Sequence, residues 1–357
     1  MVRYISRPGD TVLRIADRFG MEAEALYAAN PHVSRSRHLV PGSALLIPRP
    51  VRPVCFGAQT RIVRGSAEYG PRQLAADIHR LQACYPFLKA GIIGRSVMGK
   101  PIAALAIGEG KRSLHVNASF HANEWITSLV LMTFLEDYCR AVGGGIPIRG
   151  YDSRKLLERT QLWLVPMVNP DGVELAQEGV MSGHPFGCDL IRWNRYSDRF
   201  FRWKANVRGV DLNDQFPAHW EEECARRGKE GPGPRDYPGP APLAEPEAAA
   251  MAAFTDRKAF DMVIALHTQG QEIYWNYRDC EPDGAGELAE RLGRASGYRP
   301  VKLHGSDAGY KDWFIQRFRK PGFTVECGIG VNPLPLAQAD DIYDDVAPLL
   351  LEAMRSV

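Results

Sequence analysis

Four residues in this chain have the types and the spacing to carry out a hydrolysis. His121 and Glu124 form an HxxE pair, and His267 stands far downstream at the end of an apolar run. Two imidazoles and one carboxylate form a ligand set that leaves a fourth coordination position for water. With no thiolate among them, they suit Zn²⁺ or another borderline divalent ion, whereas a magnesium site would be built of oxygens. An HxxE pair alone is a weak signal, because surface helices carry that spacing by chance and a strand-end histidine is often a satisfied structural residue. The order HxxE, distant strand-end His, strand-end Glu is far more specific, since several roles are filled together. The last member is Glu326, which follows the apolar stretch Phe323-Thr324-Val325. A carboxylate is costly to bury there unless it is used, so Glu326 is the expected general base, taking a proton from the attacking water and passing it to the leaving amine. An ion pair with a neighbouring arginine is the structural alternative.

These groups need a scaffold that brings them together. Leu114–Phe120 leads into His121-Ala122-Asn123-Glu124, Leu162–Val168 into Asn169-Pro170-Asp171-Gly172, Met262–Leu266 into His267, and Gly322–Val325 into Glu326. Apolar strand, loop and helix recur in that order, which predicts an α/β fold with a mixed, mostly parallel, doubly wound sheet covered on both faces. In open α/β sheets ligands bind outside the carboxyl ends of the strands, so the four polar termini are expected to converge. An amphipathic helix over 71–84 and two strands, 92–97 and 102–107, turned by Met98-Gly99-Lys100-Pro101, open this domain. Gly228–Pro242, rich in Gly and Pro, reads as an ordered surface loop.

Composition bounds the function from outside. The chain has 357 residues, 45% hydrophobic and 24% charged, which excludes a disordered or fibrous protein. Its 44 basic and 42 acidic side chains leave a net charge of +2, so no bulk field steers it to nucleic acid or an anionic membrane. The seven cysteines are scattered and contain no CxxC, and they read as thiols of a reducing compartment. The first residues lack the apolar core of a signal peptide, and the best hydrophobic stretch, Trp125 to Leu135, is far short of the ~20 residues a bilayer span needs. No membrane insertion and a cytoplasmic location are expected, with release from the cell as the alternative.

Residues 1–48 read as a separate module, 49–59 as a proline-rich linker and 60–357 as the catalytic domain. Arg3-Tyr4-Ile5 is a short strand, helices are expected over 12–19 and 22–29, and Leu45-Leu46-Ile47 returns as a strand. This βααβ pattern resembles a LysM module, with Pro8-Gly9-Asp10-Thr11, Ile15-Ala16, Phe19-Gly20, Leu26, Asn30-Pro31, Pro41-Gly42 and Ile47-Pro48 in order. The resemblance implies binding to the N-acetylglucosamine backbone of peptidoglycan or chitin, through the turn after the first strand and the loop after the second helix.

The second domain resembles the zinc carboxypeptidase family across nearly all of 60–357. The likeness is carried by Phe120-His121-Ala122-Asn123-Glu124-Trp125, Asn169-Pro170-Asp171-Gly172, Arg208-Gly209-Val210-Asp211-Leu212-Asn213, Ala265-Leu266-His267-Thr268 and Thr324-Val325-Glu326. It implies the zinc carboxypeptidase type of sheet, one zinc ion per chain on His121, Glu124 and His267, and Glu326 as the catalytic glutamate. Three departures bear on substrate. Where the family has an oxyanion arginine after a tryptophan, this chain has Lys204 after Trp203, so a point charge replaces a fork. Where true carboxypeptidases hold the terminal carboxylate with Asn-Arg, this chain reads Asn213-Asp214; the aspartate repels a carboxylate and suits an ammonium group, unless it only pairs with Arg208. Substrate contacts are expected from Asn213, Asp214 and Arg208. Where the family places a mobile tyrosine, His304 aligns, with Tyr310 nearby; either could donate a hydrogen bond to the substrate, or serve only the loop.

A LysM-like module joined to such a domain resembles the bacterial γ-D-glutamyl-meso-diaminopimelate peptidases. That likeness implies a peptidoglycan or muropeptide substrate cut at the γ-D-glutamyl bond, with Asp214 meeting the ammonium of the diaminopimelate D-centre. An ordinary metallocarboxypeptidase or acyl-amino-acid amidohydrolase is the alternative. A non-catalytic cell-wall binding protein is disfavoured, because every essential position is filled.

Overall fold

The computed structural model describes residues 2–6, 11–12, 15–16, 23–33, 39–47, 61–65 and 67–357. They divide into two compact units, Met1–Ile62 with Ala75–Pro86 and Val63–Leu74 with Phe87–Val357, and the dividing line runs through the helix Pro71–Cys84.

In the first unit β1 (Val2–Ile5) pairs antiparallel with β2 (Ala44–Ile47), Tyr4 facing Leu45. The alternation in β2 turns Leu45 and Ile47 inward, where they pack with Val12, Ile15, Ala16, Leu26 and Leu39. Residues 12, 15 and 16 are helical and a helix spans Ala23–Ala29, so the described parts follow the βααβ order. Asn30 explains why a polar residue closes that helix. Buried, its amide donates to the carbonyls of Leu26 and Leu46, both at 2.8 Å, and accepts from the Leu46 amide at 2.7 Å, satisfying three backbone groups at once. Gly42, at φ +89°, makes the turn before β2. The turn Pro8-Gly9-Asp10 and the linker over 49–59 lie outside the described residues.

The second unit is built on an eight-stranded mixed sheet in the order β3-β4-β6-β5-β7-β10-β8-β9. The strands are β3 (Lys89–Arg95), β4 (Pro101–Ile107), β5 (Arg112–Ala118), β6 (Thr160–Val165), β7 (Met262–His267), β8 (Glu272–Tyr274), β9 (Arg299–Val301) and β10 (Gly322–Glu326). The four central strands, β6-β5-β7-β10, run parallel, and antiparallel pairs join β3 to β4, β4 to β6 and β8 to β10. β7 is buried along its whole length, as expected of a strand covered on both faces. The β3–β4 hairpin turns through Gly99 at φ +79°, whose amide donates to the Ser96 carbonyl at 2.9 Å.

Parallel pairing puts the ends of β5, β7 and β10 on one edge of the sheet. The register sets Ala118 beside Leu266 and Glu326 beside His267. Beyond β5 the backbone turns at Ser119, a non-glycine residue at φ 51°, and its hydroxyl lies 2.7 Å from that of Ser128. Such strained positions persist where surrounding structure over-determines them. The apolar stretch from Trp125 becomes the first turns of the helix Ile126–Gly144, whose buried Leu129, Leu131, Phe134 and Leu135 each contribute roughly 1.5–3 kcal/mol of burial. No helix among the described residues is long and apolar enough to cross a membrane.

Two expectations need correction. Cys84 is disulfide-bonded, while Cys139, Cys188, Cys224, Cys280 and Cys327 are free thiols, so cysteine usage no longer argues for a reducing compartment. The end of β6 is structural. Asn169 caps the helix Pro170–Glu178 through the Gly172 amide at 3.0 Å and donates to the carbonyls of Phe120 and Ala205. Asp171 accepts from Lys100 Nζ at 2.8 Å and from the Met98 amide at 2.7 Å, which clamps the β3–β4 turn.

Candidate active site

His121 follows the turn at Ser119, Glu124 ends the short 3₁₀ helix Ala122–Glu124, and His267 is the last residue of β7. The three side chains meet with donor atoms all within 4.8 Å of one another, and all three are buried. His121 Nδ1 lies 2.9 Å from Glu124 Oε1, while His267 Nδ1 lies 3.1 Å from both Glu124 Oε2 and His121 Nδ1. Ligand atoms about 2.0–2.1 Å from a tetrahedral zinc ion are roughly 3.3 Å apart, so this spacing fits a zinc ion at their centre.

Charge points the same way. Burial alone would make the His121 imidazole harder to protonate, but the carboxylates of Glu124 and Asp211 reverse that and push it up to about 9. The pocket therefore favours positive charge at the place where a divalent ion would supply it. His121 Nε2 faces Asp211 Oδ1 at 3.2 Å, the carboxylate-on-histidine arrangement that fixes which ring nitrogen is free to ligate. Asp211 is fully buried and also accepts from Lys204 Nζ at 2.7 Å.

Glu326 stands beside His267 in the sheet register. Burial, and then the charge of Glu124, push its carboxyl up to about 8. Such a group holds its proton more readily than a free carboxylate, and the charge of a bound divalent ion would oppose that shift. No arginine pairs with Glu326 in the structure, so the ion-pair alternative finds no partner among the described residues.

Lys204 is buried on the loop before Asp211. Although burial opposes its charge, the carboxylates of Asp211 and Asp214 hold the ammonium above its ordinary range. Its backbone carbonyl accepts from the Ala122 amide at 2.9 Å, which ties this loop to the segment bearing two metal ligands. Asp214 is buried and pairs with Arg227, not with Arg208, through contacts at 2.8 and 2.9 Å. Arg227 ends the helix Trp220–Arg227 and also meets Glu223 at 2.7 Å. Arg208 is turned to Glu245 at 3.7 Å. The Asn213 side chain accepts from the Tyr310 amide at 3.1 Å.

His304 sits exposed on the loop after β9. It lines a polar cavity of about 130 Å³ with Arg226, Asn276, Arg278, Lys302 and Asp307. Tyr310 corrects an expectation. It is fully buried, packs against Phe120 and Phe216, and its hydroxyl lies 2.8 Å from that of Thr255, so it belongs to the aromatic core and offers no donor to a substrate. Asp211, Arg227 and Asn332 were missed by sequence reasoning. Asp211 had a signal in the Gly-Val-Asp motif; the other two reach the site from distant segments with none.

The zinc carboxypeptidase family model (Peptidase_M14) matches residues 74–318, and the LysM domain model matches residues 4–48. Gamma-D-glutamyl-L-diamino acid endopeptidase 1 of Lysinibacillus sphaericus is 49% identical over 294 residues, covering 82% of this chain and 74% of that protein. Human carboxypeptidase B is 24% identical over 265 residues, covering 67% of this chain and 57% of that protein. Among solved structures, bovine thrombin-activatable fibrinolysis inhibitor in complex with tick carboxypeptidase inhibitor shares the fold, with a TM-score of 0.65 at 20% identity over 82% of this chain and 98% of that one. Geometry, charge and sequence thus agree, and this chain belongs to the zinc carboxypeptidase family of metallopeptidases, as a member that also carries a LysM domain.

Proposed function

We propose that this metallopeptidase cuts the bond between γ-D-glutamate and meso-diaminopimelate in peptidoglycan stem peptides, and that its LysM domain holds it on the glycan strand. The observation that carries the reading is the state of the cations around the substrate side of the site. Both Lys204 and Arg227 are already matched by buried carboxylates, Asp211 for the first and Asp214 and Glu223 for the second. A plain C-terminal carboxylate meeting these two cations finds both already paired, and Asp214 stands where a conventional carboxypeptidase would offer it an arginine. The relative named for action on γ-D-glutamyl-L-diamino acid bonds, together with the LysM domain, supports the same substrate class.

A zinc ion held by His121, Glu124 and His267 would supply Lewis acidity, polarising the amide carbonyl and acidifying a water. Glu326 takes the proton of the attacking water and delivers it to the departing amine. In this reading the Lys204 ammonium stabilises the charge that develops on the carbonyl oxygen, and Asp211, in contact with both Lys204 and His121, orients them.

The test is mass-spectrometric analysis of products from L-Ala-γ-D-Glu-meso-diaminopimelate, with wild type and Glu326→Gln side by side. Release of L-Ala-D-Glu by wild type alone is expected. Faster release of C-terminal residues from ordinary L-peptides would overturn the reading and favour a conventional carboxypeptidase. Tethering raises local substrate concentration without changing chemistry, so deleting residues 1–48 should reduce activity on sacculi more than on short peptides.

A further inference from the structure

The loop after β10 reaches back into the metal site through one side chain. Asn332 donates from Nδ2 to Glu124 Oε1 at 3.2 Å and to the Thr268 carbonyl at 2.9 Å, while its Oδ1 accepts from the Thr268 hydroxyl at 2.7 Å. Two acceptors on one side and a donor on the other fix which end of the amide is nitrogen. The other oxygen of Glu124 receives the Thr268 amide at 3.3 Å. Each oxygen of this carboxylate thus has one imidazole beside it and one fixed amide donor behind it. Glu124 lies beyond β5, Thr268 follows β7 and Asn332 follows β10, so three segments are tied together at one ligand.

We propose that Asn332 is a positioning residue that holds the Glu124 carboxylate in its zinc-ligating orientation, with Thr268 setting the amide. Fixed donors on a ligating carboxylate restrict its rotation and lower the ordering cost of taking up the ion, and losing such a partner typically weakens metal binding 10–100-fold. Asn332 is only partly buried, and its neighbours Ile329 and Val331 are exposed, so replacing it disturbs little packing.

The experiment is chelator competition for zinc on the full chain, alongside thermal unfolding of each metal-free variant. Asn332→Ala should weaken zinc binding about 10–100-fold. Thr268→Val, which removes the hydroxyl that orients the amide, should weaken it several-fold, while Thr268→Ser should keep it near wild type. The metal-free unfolding midpoints should stay within a few degrees of wild type. Zinc affinity within two-fold of wild type in Asn332→Ala would overturn the proposal. If that variant does not fold without metal, the comparison of Thr268→Val with Thr268→Ser decides: equal affinities overturn the proposal, and a loss restored by serine supports it. Metal affinity is read without any peptide, so this outcome is independent of the substrate assignment.

Discussion

The carboxyl end of β6 and the adjacent ends of β5 and β7 look alike in sequence, each an apolar run closing on polar residues, yet they do different work. At the end of β6 the polar atoms are matched by protein. Asn169 serves one backbone amide and two carbonyls, and Asp171 takes a lysine and an amide. At the ends of β5 and β7, two imidazoles and a carboxylate face one another, their ligand atoms 2.9–3.1 Å apart. A polar strand end is therefore a clamp when its partners come from its own surroundings, and a site when its donors converge and their demand is met only by an ion.

Substitutions can break this contrast. The largest effect is expected for His267→Ala, which should abolish stoichiometric zinc binding and activity together, as read by metal analysis and peptide hydrolysis. Glu326→Gln should lower kcat by roughly 10²–10⁴ while zinc stays bound, separating base from ligand. On the β6 side, Asp171→Asn should leave zinc content unchanged but cost about 1–3 kcal/mol of stability, since it uncouples Lys100 from a buried acceptor; a loss of zinc there would erase the distinction.

A buried carboxylate outside the site gives the smallest and most pH-specific effect. Burial pushes Glu247 up to about 7 from 4.5, so the folded state binds its proton more tightly than the unfolded chain does. That contribution is complete below about pH 4.5 and is lost as pH rises through about 7. Glu247→Gln keeps the acceptor for the Val97 amide. It should raise the unfolding midpoint by on the order of 5 °C at pH 8 and by nothing near pH 4.5.

The convergence of His121, Glu124, His267 and Glu326 was legible in the sequence because His267 and Glu326 close apolar strands, the HxxE pair follows closely on a third, and parallel strands in one sheet must end on a common edge. The helix over 71–84 and the β3–β4 hairpin were legible from periodicity and turn residues. The partners of Asp214 and Glu124 were not. Arg227 comes from a helix folded out of the segment after the Gly-Val-Asp motif, and Asn332 from a loop beyond the base, and neither approach has a local pattern. Tyr310 was misread because its alignment near a substrate loop says nothing of the aromatic cluster that encloses it. His115 shows the reverse trap: stacked on Phe260 and pushed down to about 3 by burial, it is a neutral core residue in the middle of β5.

The pairing of Glu326 with His267 has an evolutionary consequence. Neighbouring strands sit about 4.8 Å apart whatever joins them, so the spacing between base and ligand is fixed by the ladder of backbone hydrogen bonds. The exposed loop after β9, with the cavity around His304, can change in length or charge without altering that ladder. The spacing of the reacting groups is inherited with the sheet itself, whatever sequence that loop acquires.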